Sequence, residues 1–323
     1  MKKFLFLFIF LYAGTSVWAQ AVPSQDENIP FLITFGKQSS ITWGDDDFSQ
    51  TFFFLVPETY TGMLFIRIFD ADTGGKHDEA KGPFDTKMQY SLYGGKQAYS
   101  HPDAKNLDPI GNYKSGNLLT SKTVGVDPKL DDKWLTLGPF NPTEGEYIED
   151  FKGYIFKLIC DGISGDDGNL YRYFMSTSAN ENIAIEGGNA FAFEYSFRMH
   201  DDPNEVSHIY PFVDEKVITV EQSNFDWDND GKIRVSSEAR LELFCAVSGD
   251  GVWARSTFVL LEGEKGKSLN FTFLKKKPAV LNNNVVIYVR NQYGESLPFY
   301  TSPIGGVPKY KYKIQGQKAP KKN

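Results

Sequence analysis

Alternating carboxylates mark one segment of the chain as a candidate metal loop. Asp226, Asp228 and Asp230 are separated by single residues and are followed at once by Gly231. Side chains at this spacing can direct their oxygens towards one point while a glycine permits a sharp turn, which is how calcium loops are built. Ser237 stands where a bidentate glutamate would complete a helical calcium loop, and the flanks predict strands. The segment therefore predicts a calcium-binding turn between strands, with a solvated acidic turn as the alternative.

A second group of acids follows an apolar run at residues 63–69. This loop contains the flexible pair at 74–75 and the acids Asp70, Asp72, Asp78 and Glu79. Calcium takes six to eight oxygen ligands at variable geometry, so we expect a second calcium site here. Residues 45–47 and 166–169 are two further acidic turns, and exposed acids in turns need no metal. If such loops converge at one end of a sandwich, their mutual repulsion favours binding of a divalent ion.

The sequence supplies strands to hold these loops. Residues 52–56 and 63–69 are apolar runs on either side of a turn, as in a β-hairpin, and residues 64–69 alternate with the period of two expected of a strand. Residues 191–197 alternate aromatic with smaller or polar side chains, which predicts a core stripe rather than a carbohydrate-stacking platform. Short strands separated by Gly and Asp turns, without any segment of helical period, predict an all-β fold of antiparallel sandwiches.

The strand spacing predicts two domains. Residues 29–199 are expected to form a larger jelly-roll-like sandwich, and residues 205–302 a smaller sandwich that is immunoglobulin-like in architecture only. Within the first, residues 41–43 are expected to be a short strand, and residues 20–28 a loose lead-in. The segment 96–132 is rich in Gly, Pro, Asn and Asp, which predicts a long binding loop. Its predicted partner-facing residues are His101, Tyr113 and Lys114.

The hairpin and the sequence GMLFIRIFDADTGG at residues 62–75 resemble the pre-peptidase C-terminal domain. This resemblance covers residues 48–93. It implies a small secreted β-sandwich of the kind that accompanies bacterial proteases and often binds calcium. The chain differs from that pattern because no protease domain is attached and the predicted domain extends well beyond the size of that family. The resemblance thus supports a secreted sandwich and leaves the function open.

The first nineteen residues predict a signal peptide. Lys2 and Lys3 precede a short apolar run at 4–12, and the segment ends in a small-residue cleavage pattern at Ala19. The exported protein is expected to be periplasmic, outer-membrane-associated or extracellular, without a transmembrane segment. Eight of the 34 basic residues lie in this peptide or in the predicted flexible tail 303–323, so the body holds 26 basic against 41 acidic residues. Such a charge disfavours nucleic acid and anionic lipid as partners.

Signals of catalysis are few. The four histidines form no metal-binding pair, and the sequence lacks a nucleophile elbow, a P-loop and a dinucleotide motif. Cys160 and Cys245 lie in apolar runs and are predicted to be buried thiols rather than a disulfide. We therefore expect a non-catalytic exported protein whose calcium-stabilised sandwiches dock onto a protein partner of the bacterial envelope or a secretion assembly. Glycan binding through exposed aromatics and hydrolysis by loop carboxylates are the alternatives.

Overall fold

The computed structural model describes residues 20–277 and 283–309, which form an all-β fold. The predicted signal peptide and residues 310–323 of the predicted tail lie outside this range. In the described residues the strands are β1 (Ala21–Val22), β2 (Phe31–Phe35), β3 (Ser49–Pro57), β4 (Leu64–Phe69), β5 (Lys87–Gly94), β6 (Asn117–Val124), β7 (Trp134–Phe140), β8 (Glu146–Ile148), β9 (Gly153–Ser164), β10 (Gly168–Ser176), β11 (Asn189–Ala192), β12 (Glu194–Arg198), β13 (Val206–Ile209), β14 (Phe212–Val213), β15 (Thr219–Phe225), β16 (Gly231–Ser236), β17 (Leu243–Cys245), β18 (Trp253–Val259), β19 (Lys267–Ser268), β20 (Asn270–Lys275), β21 (Asn284–Asn291) and β22 (Phe299–Tyr300). The helices there are short 3-10 turns, η1 (Ile41–Trp43), η2 (Pro102–Lys105), η3 (Pro142–Glu144), η4 (Glu149–Phe151) and η5 (Glu262–Glu264).

Two large antiparallel sheets dominate the described chain. The larger has the order β18-β15-β21-β12-β2-β10-β4-β7, with β1 added against β10. The other has the order β22-β11-β3-β9-β5-β6, with β8 added against β9. Smaller sheets are formed by β13-β20-β16-β17 and by β14-β19. The prediction of an all-β fold of antiparallel sheets is therefore confirmed.

Strand β3 explains how the core is divided. Its side chains at Phe52 and Phe54 belong to the main core, together with residues of β4, β5, β9 and β10. Phe53 points to the opposite face of the sheet, where it packs with Phe191 and Phe193 in a second apolar cluster. Both faces of the strand are covered, and this is why its sequence is a continuous apolar run rather than an alternating one.

The predicted aromatic stripe at 191–197 is buried, but it does not lie on one face of one strand. Phe191 and Phe193 belong to the second cluster, whereas Tyr195 and Phe197 belong to the main core. The reason is that β11 pairs with β3 in one sheet and β12 pairs with β2 in the other. The chain therefore crosses between the two large sheets near Phe193.

Three local predictions are wrong. Residues 41–43 form the 3-10 turn η1, whose first turn is capped by the Ser40 hydroxyl, which accepts the N–H of Thr42 at 3.3 Å. The predicted long loop 96–132 contains η2 and the strand β6, which pairs along β5. Strand β6 is an edge strand with exposed polar side chains, so its sequence lacks a hydrophobic period. The predicted loose lead-in at 20–28 is packed against the sheets, with Val22 and Glu27 fully buried.

Strands on either side of the predicted domain boundary share sheets. The strand β12 pairs with β21 from Glu194 to Arg198, and β11 pairs with β22. One continuous cluster of buried side chains also includes residues from both predicted ranges. The division into 29–199 and 205–302 stays a prediction, and the structure adds that the two ranges are joined by backbone hydrogen bonds.

Both cysteines are buried and free of a disulfide, which confirms the prediction made for them. Cys160 lies in β9 within the main core, and Cys245 ends β17. Burial raises the pKa of the Cys160 thiol to about 12. These residues therefore act as small apolar side chains.

Candidate functional site

The loop after β4 forms an acidic centre. Asp70 has a φ of 58°, and its Oδ1 accepts the N–H of Asp132 at 2.9 Å. Asp72 is 2% exposed, and its Oδ2 accepts the N–H of Asp127 at 3.2 Å. In the described part of the chain, the second oxygen of each carboxylate is buried without a hydrogen-bond partner. Each of these two side chains therefore has one oxygen available for a ligand.

A distant loop contributes a further acid to this centre. Asp131 Oδ1 is also buried and makes no hydrogen bond with the described residues. Gly75 has a φ of 70°, and a Cβ at this position would lie 2.0 Å from that oxygen. Only glycine lets the carboxylate approach the backbone so closely. Sequence reasoning missed Asp131 because nothing in the local pattern shows that its loop folds onto this one.

A histidine also faces this centre. His77 Nε2 lies 2.9 Å from Asp132 Oδ1, and Asp70, His77 and Asp132 each place one ligand atom within 4.8 Å of the others. The imidazole packs on the ring of Phe31 at 4.7 Å between centroids. Lys76 pairs with the other oxygen of Asp132 at 3.0 Å. Because a nitrogen and several oxygens converge here, the donor set suits a transition metal as well as calcium.

Burial controls the protonation of these acids. Burial, with a smaller contribution from the charges of Asp70 and Asp131, raises the pKa of Asp72 to about 6. The pKa of Asp70 is also raised, chiefly by burial. A bound divalent cation would stabilise the ionised carboxylates and lower these pKa values again. The centre therefore favours a cation more strongly as the pH rises.

The other two predicted ligands of this loop hold it in place. Asp78 accepts two backbone N–H groups at 2.7 Å, one from its own loop and one from Leu170 in β10. Glu79 pairs with Arg198 and with Lys81, so its charge is balanced within the protein. Burial raises the pKa of Asp78 to about 8. These contacts fasten the loop to the sheet.

The predicted calcium turn after β15 gathers three acids, but the third is not the predicted one. Asp226, Asp228 and Asp250 each place a carboxylate oxygen within 4.8 Å of the others. Asp250 comes from the turn before β18, far along the chain. Asp230 closes the first turn through its backbone, since its N–H donates to the carbonyl of Trp227 at 2.7 Å. The structure thus brings together two of the three residues chosen from the DxDxDG spacing.

The backbone of this turn is unusual. Asp226, Asp228 and Asn229 have φ values of 55°, 43° and 58°. Burial, with a smaller contribution from Asp228 and Asp250, raises the pKa of Asp226 to about 6. Gly231 serves packing, because a Cβ there would lie 2.3 Å from the Trp227 ring. Its role is therefore close approach to an aromatic ring rather than the sharp turn that the sequence predicted.

The acidic turn at 166–169 is held by the backbone. Asp167 is fully buried, and its two oxygens accept the N–H groups of Lys81 at 3.0 Å and Asp85 at 2.8 Å. Asp85, Asp166 and Asp167 do place oxygens within 4.8 Å of one another. The hydrogen bonds that Asp167 accepts nevertheless explain why these acids lie close together, because they join the turn 166–169 to the loop that contains Lys81 and Asp85.

An open groove of about 780 Å³ lies beside the segment 96–116. The segment forms one wall, and η4 and residues 290–300 form the others. Its lining includes aromatic rings and charged side chains, among them Tyr99, Phe151, Phe212, Lys105, Arg290 and Glu295. Lys105 Nζ lies 4.0 Å from the centre of the Tyr99 ring. The groove thus combines aromatic side chains with charges of both signs.

Two of the predicted partner-facing residues attach this segment to β9, and the third caps η2 within the segment. His101 Nδ1 accepts a backbone N–H at the start of η2 at 3.1 Å. The carbonyl of Tyr113 accepts Lys157 Nζ at 2.5 Å, and Lys114 Nζ lies 2.7 Å from Asp161 Oδ2. The contacts of Tyr113 and Lys114 fix the segment in front of β9, whereas the His101 contact lies within the segment. Other residues of the same segment line the groove.

No protein-family model matches this chain, and no curated protein is significantly similar to it. The resemblance of residues 48–93 to the pre-peptidase C-terminal domain therefore stays a prediction. Within residues 20–277 and 283–309, no helix has the length and apolar character needed to cross a bilayer.

Proposed function

We propose that the protein is an exported, non-catalytic binding protein of the bacterial cell envelope. It docks a protein partner in the groove beside the segment 96–116, and divalent cations, calcium foremost, rigidify the acidic loops. The observation that carries this proposal is the groove of about 780 Å³ with aromatic and charged walls. The signal-peptide pattern at residues 1–19 supports export.

The walls of the groove have the composition of a protein-binding surface. Tyrosine and arginine are enriched among the residues that dominate binding energy, and a ring of polar groups excludes water around them. Tyr99 and Arg290 occupy this groove together with Phe151 and Phe212. Tyr99 is fixed by edge contacts with Phe53 and Phe151 at 5.4 and 5.7 Å between centroids. A rigid aromatic loses little entropy when a partner binds.

The alternative functions have less support from the geometry. The aromatics that could form a glycan platform each have a cation over the ring, and they are Trp43, Tyr93, Tyr99 and Trp134. Trp43 lies under Lys81 at 4.2 Å, and Trp134 under Arg67 at 4.9 Å. A hydrolase needs at least one acid shielded from solvent. The acids of the groove, Asp150, Asp214 and Glu295, are exposed.

Photo-crosslinking in the source bacterium tests this proposal. A photoreactive amino acid replaces Asn106 or Asn291, which line the groove, or Lys122 on the exposed edge strand β6 as the matched control. We expect discrete crosslinked protein species from the envelope fraction at the two groove positions and not at the control. Equal crosslinking at all three positions, or recovery of the protein in the cytoplasmic fraction, would contradict the proposal. Binding to a glycan array that Tyr99→Ala abolishes would instead support the glycan alternative.

A further inference from the structure

The outer face of the larger sheet carries a row of aromatic side chains with an arginine among them. Arg172 of β10 lies opposite Phe69 of β4, and Phe69 lies opposite Trp134 of β7. Phe31, at the start of β2, lies on the other side of Arg172, because β10 is between β2 and β4. The residues before and after Arg172 in β10 belong to the main core. Since successive side chains of a strand point to opposite faces, the row faces away from that core.

The segment 21–30 forms the other wall of an open cavity of about 540 Å³ over this row. Strand β1 holds the segment there by pairing with β10. Apolar side chains from the segment and from the row line the cavity, including Pro23, Ile29, Pro30, Phe69 and Trp134. Small-molecule sites have volumes of about 300–1,000 Å³ and mostly apolar walls with a few polar groups. The cavity therefore has the size and the lining of a small-molecule site.

Arg172 brings a positive charge into this cavity without an acceptor for its N–H groups. Its Cζ lies 4.8 Å from the centre of the Phe31 ring and 4.5 Å from that of Phe69. Such rings attract the charge, but they supply no oxygen to accept the five N–H groups of a guanidinium. In the described chain the Nε of Arg172 is buried without a hydrogen-bond partner. The described residues that line the cavity include no aspartate or glutamate.

The nearest acidic centre does not satisfy this arginine. Burial lowers the pKa of Arg172, and the more distant charges of Asp70 and Asp132 act in the opposite direction. Asp132 is already paired with Lys76 at 3.0 Å, and Asp70 Oδ1 accepts the N–H of Asp132 at 2.9 Å. An arginine stays charged at any physiological pH, so a half-buried one is stabilised by an anion that accepts its N–H groups. Arg172 therefore favours an anionic ligand in the cavity.

A second polar group of the lining is also left with donors to offer. Asn182 lines the cavity, and its Oδ1 accepts from Nη1 of the buried Arg67. The group that Asn182 has left is its NH₂, which donates only. Arg67 in turn packs over the Trp134 ring at 4.9 Å, so the amide is held next to the aromatic row. Both Arg172 and Asn182 thus suit a ligand that accepts hydrogen bonds.

We propose that this cavity binds a small organic molecule that carries one carboxylate on an apolar or aromatic frame. Arg172 holds the carboxylate through paired N–H groups, because its flat fork matches the two oxygens. Phe69, Trp134 and Ile29 contact the frame. The single charge of the ligand matches the single arginine of the lining. This site is separate from the proposed docking groove, with which it shares no lining residue.

Calorimetry on the purified protein tests this site with indoleacetate, naphthoate and phenylbutyrate as probes. Indoleacetamide is the matched neutral probe, since it has the frame of indoleacetate without the charge. We expect at least one carboxylate to bind, and the neutral amide to bind more than about tenfold more weakly than indoleacetate. Hydrogen bonds to a charged group are strong enough to give that factor. Absence of binding by all three carboxylates at millimolar concentration, or equal binding of indoleacetate and its amide, would overturn the proposal.

Variants of Arg172 locate the binding. Arg172→Met keeps the apolar stem and removes the charge, and it should lower the affinity for the carboxylates by more than about tenfold. Arg255→Met is the control, because Arg255 is exposed on β18. It should bind as the wild type does. If Arg172→Met does not fold, Arg172→Lys serves, since it keeps the charge, loses the paired donors and should also bind more weakly.

Wild-type affinity in a folded Arg172 variant, or an equal loss in Arg255→Met, would also overturn the proposal. A thermal melt of each variant without ligand shows whether it is folded. The crosslinking result at the groove does not depend on these affinities, so the two proposals can fail separately.

Discussion

Glu27 provides a test of how burial sets the stability of this fold. It is fully buried, its Oε2 accepts the N–H of Ser24 at 2.6 Å, and burial raises its pKa from 4.5 to about 8. The folded protein therefore holds a proton on this side chain over a pH range in which the unfolded chain has released it. The contribution of Glu27 to the free energy of unfolding is therefore complete below about pH 4.5, and it is lost as the pH rises through about 8.

The size of the effect follows from linkage. One pKa unit corresponds to about 1.4 kcal/mol. The rise in the pKa of Glu27 from 4.5 to about 8 can therefore change the free energy of unfolding by about 5 kcal/mol at most. Glu27→Gln keeps an oxygen for the Ser24 N–H and cannot ionise. The variant should match the wild type at pH 4 and should be more stable by several kcal/mol, on the order of 3 to 5, at pH 8.5.

Urea unfolding at a series of pH values in the presence of chelator measures this difference. The exposed Glu186→Gln is the control, and its free energy of unfolding should follow the wild type at every pH. A gap between Glu27→Gln and the wild type that does not grow with pH would refute the reasoning. So would a variant that is less stable than the wild type at pH 8.5.

Three further predictions concern single residues. Gly75→Ala should lower the free energy of unfolding by about 1–3 kcal/mol, because the left-handed backbone and the contact with Asp131 both exclude a side chain. A urea unfolding midpoint equal to that of the wild type would contradict this prediction. Arg240→Ala should lower the free energy of unfolding by about 3–5 kcal/mol in the same assay, because it leaves the buried Glu264 carboxylate without its ion-pair partner at 2.9 Å. A decrease below about 1 kcal/mol would mean that the pair is not buried in solution. Cys160 should react with a thiol reagent only after unfolding, because it is fully buried with a pKa of about 12; rapid labelling of the native protein would contradict its position.

Strand identity could be predicted from the sequence where one face of a strand is buried. Leu64, Ile66 and Ile68 alternate along β4, and all three are buried as the period of two requires. Strand β6 could not be found in this way, because it lies at a sheet edge with both faces largely exposed. The packed lead-in at 20–28 was missed for a related reason. Its polar residues are buried by partners from elsewhere in the chain, such as the carbonyl of Ile185, which accepts from Gln20.

The residues of the acidic centres could also be predicted from the sequence only in part. Spacing identified Asp226 and Asp228, because neighbours in one turn are brought together by local geometry. It chose Asp230 in place of Asp250, which arrives from another turn, and it gave no sign that Asp131 meets the loop after β4. Such convergence depends on how distant loops fold onto one another. Residues that are distant in sequence could be assigned to a site only from the structure.

A thermal melt in calcium and in chelator tests the central claim, that divalent ions hold these loops. The wild type is compared with Asp70→Ala/Asp72→Ala and with Asp226→Ala/Asp228→Ala. A ligand that binds only the native state adds about 2.7 kcal/mol at a hundred times its dissociation constant. We expect calcium to raise the melting temperature of the wild type, and each double variant to lose part of that rise. Identical melts in calcium and chelator for the wild type and both variants would contradict the claim and leave the acidic turns as solvated loops.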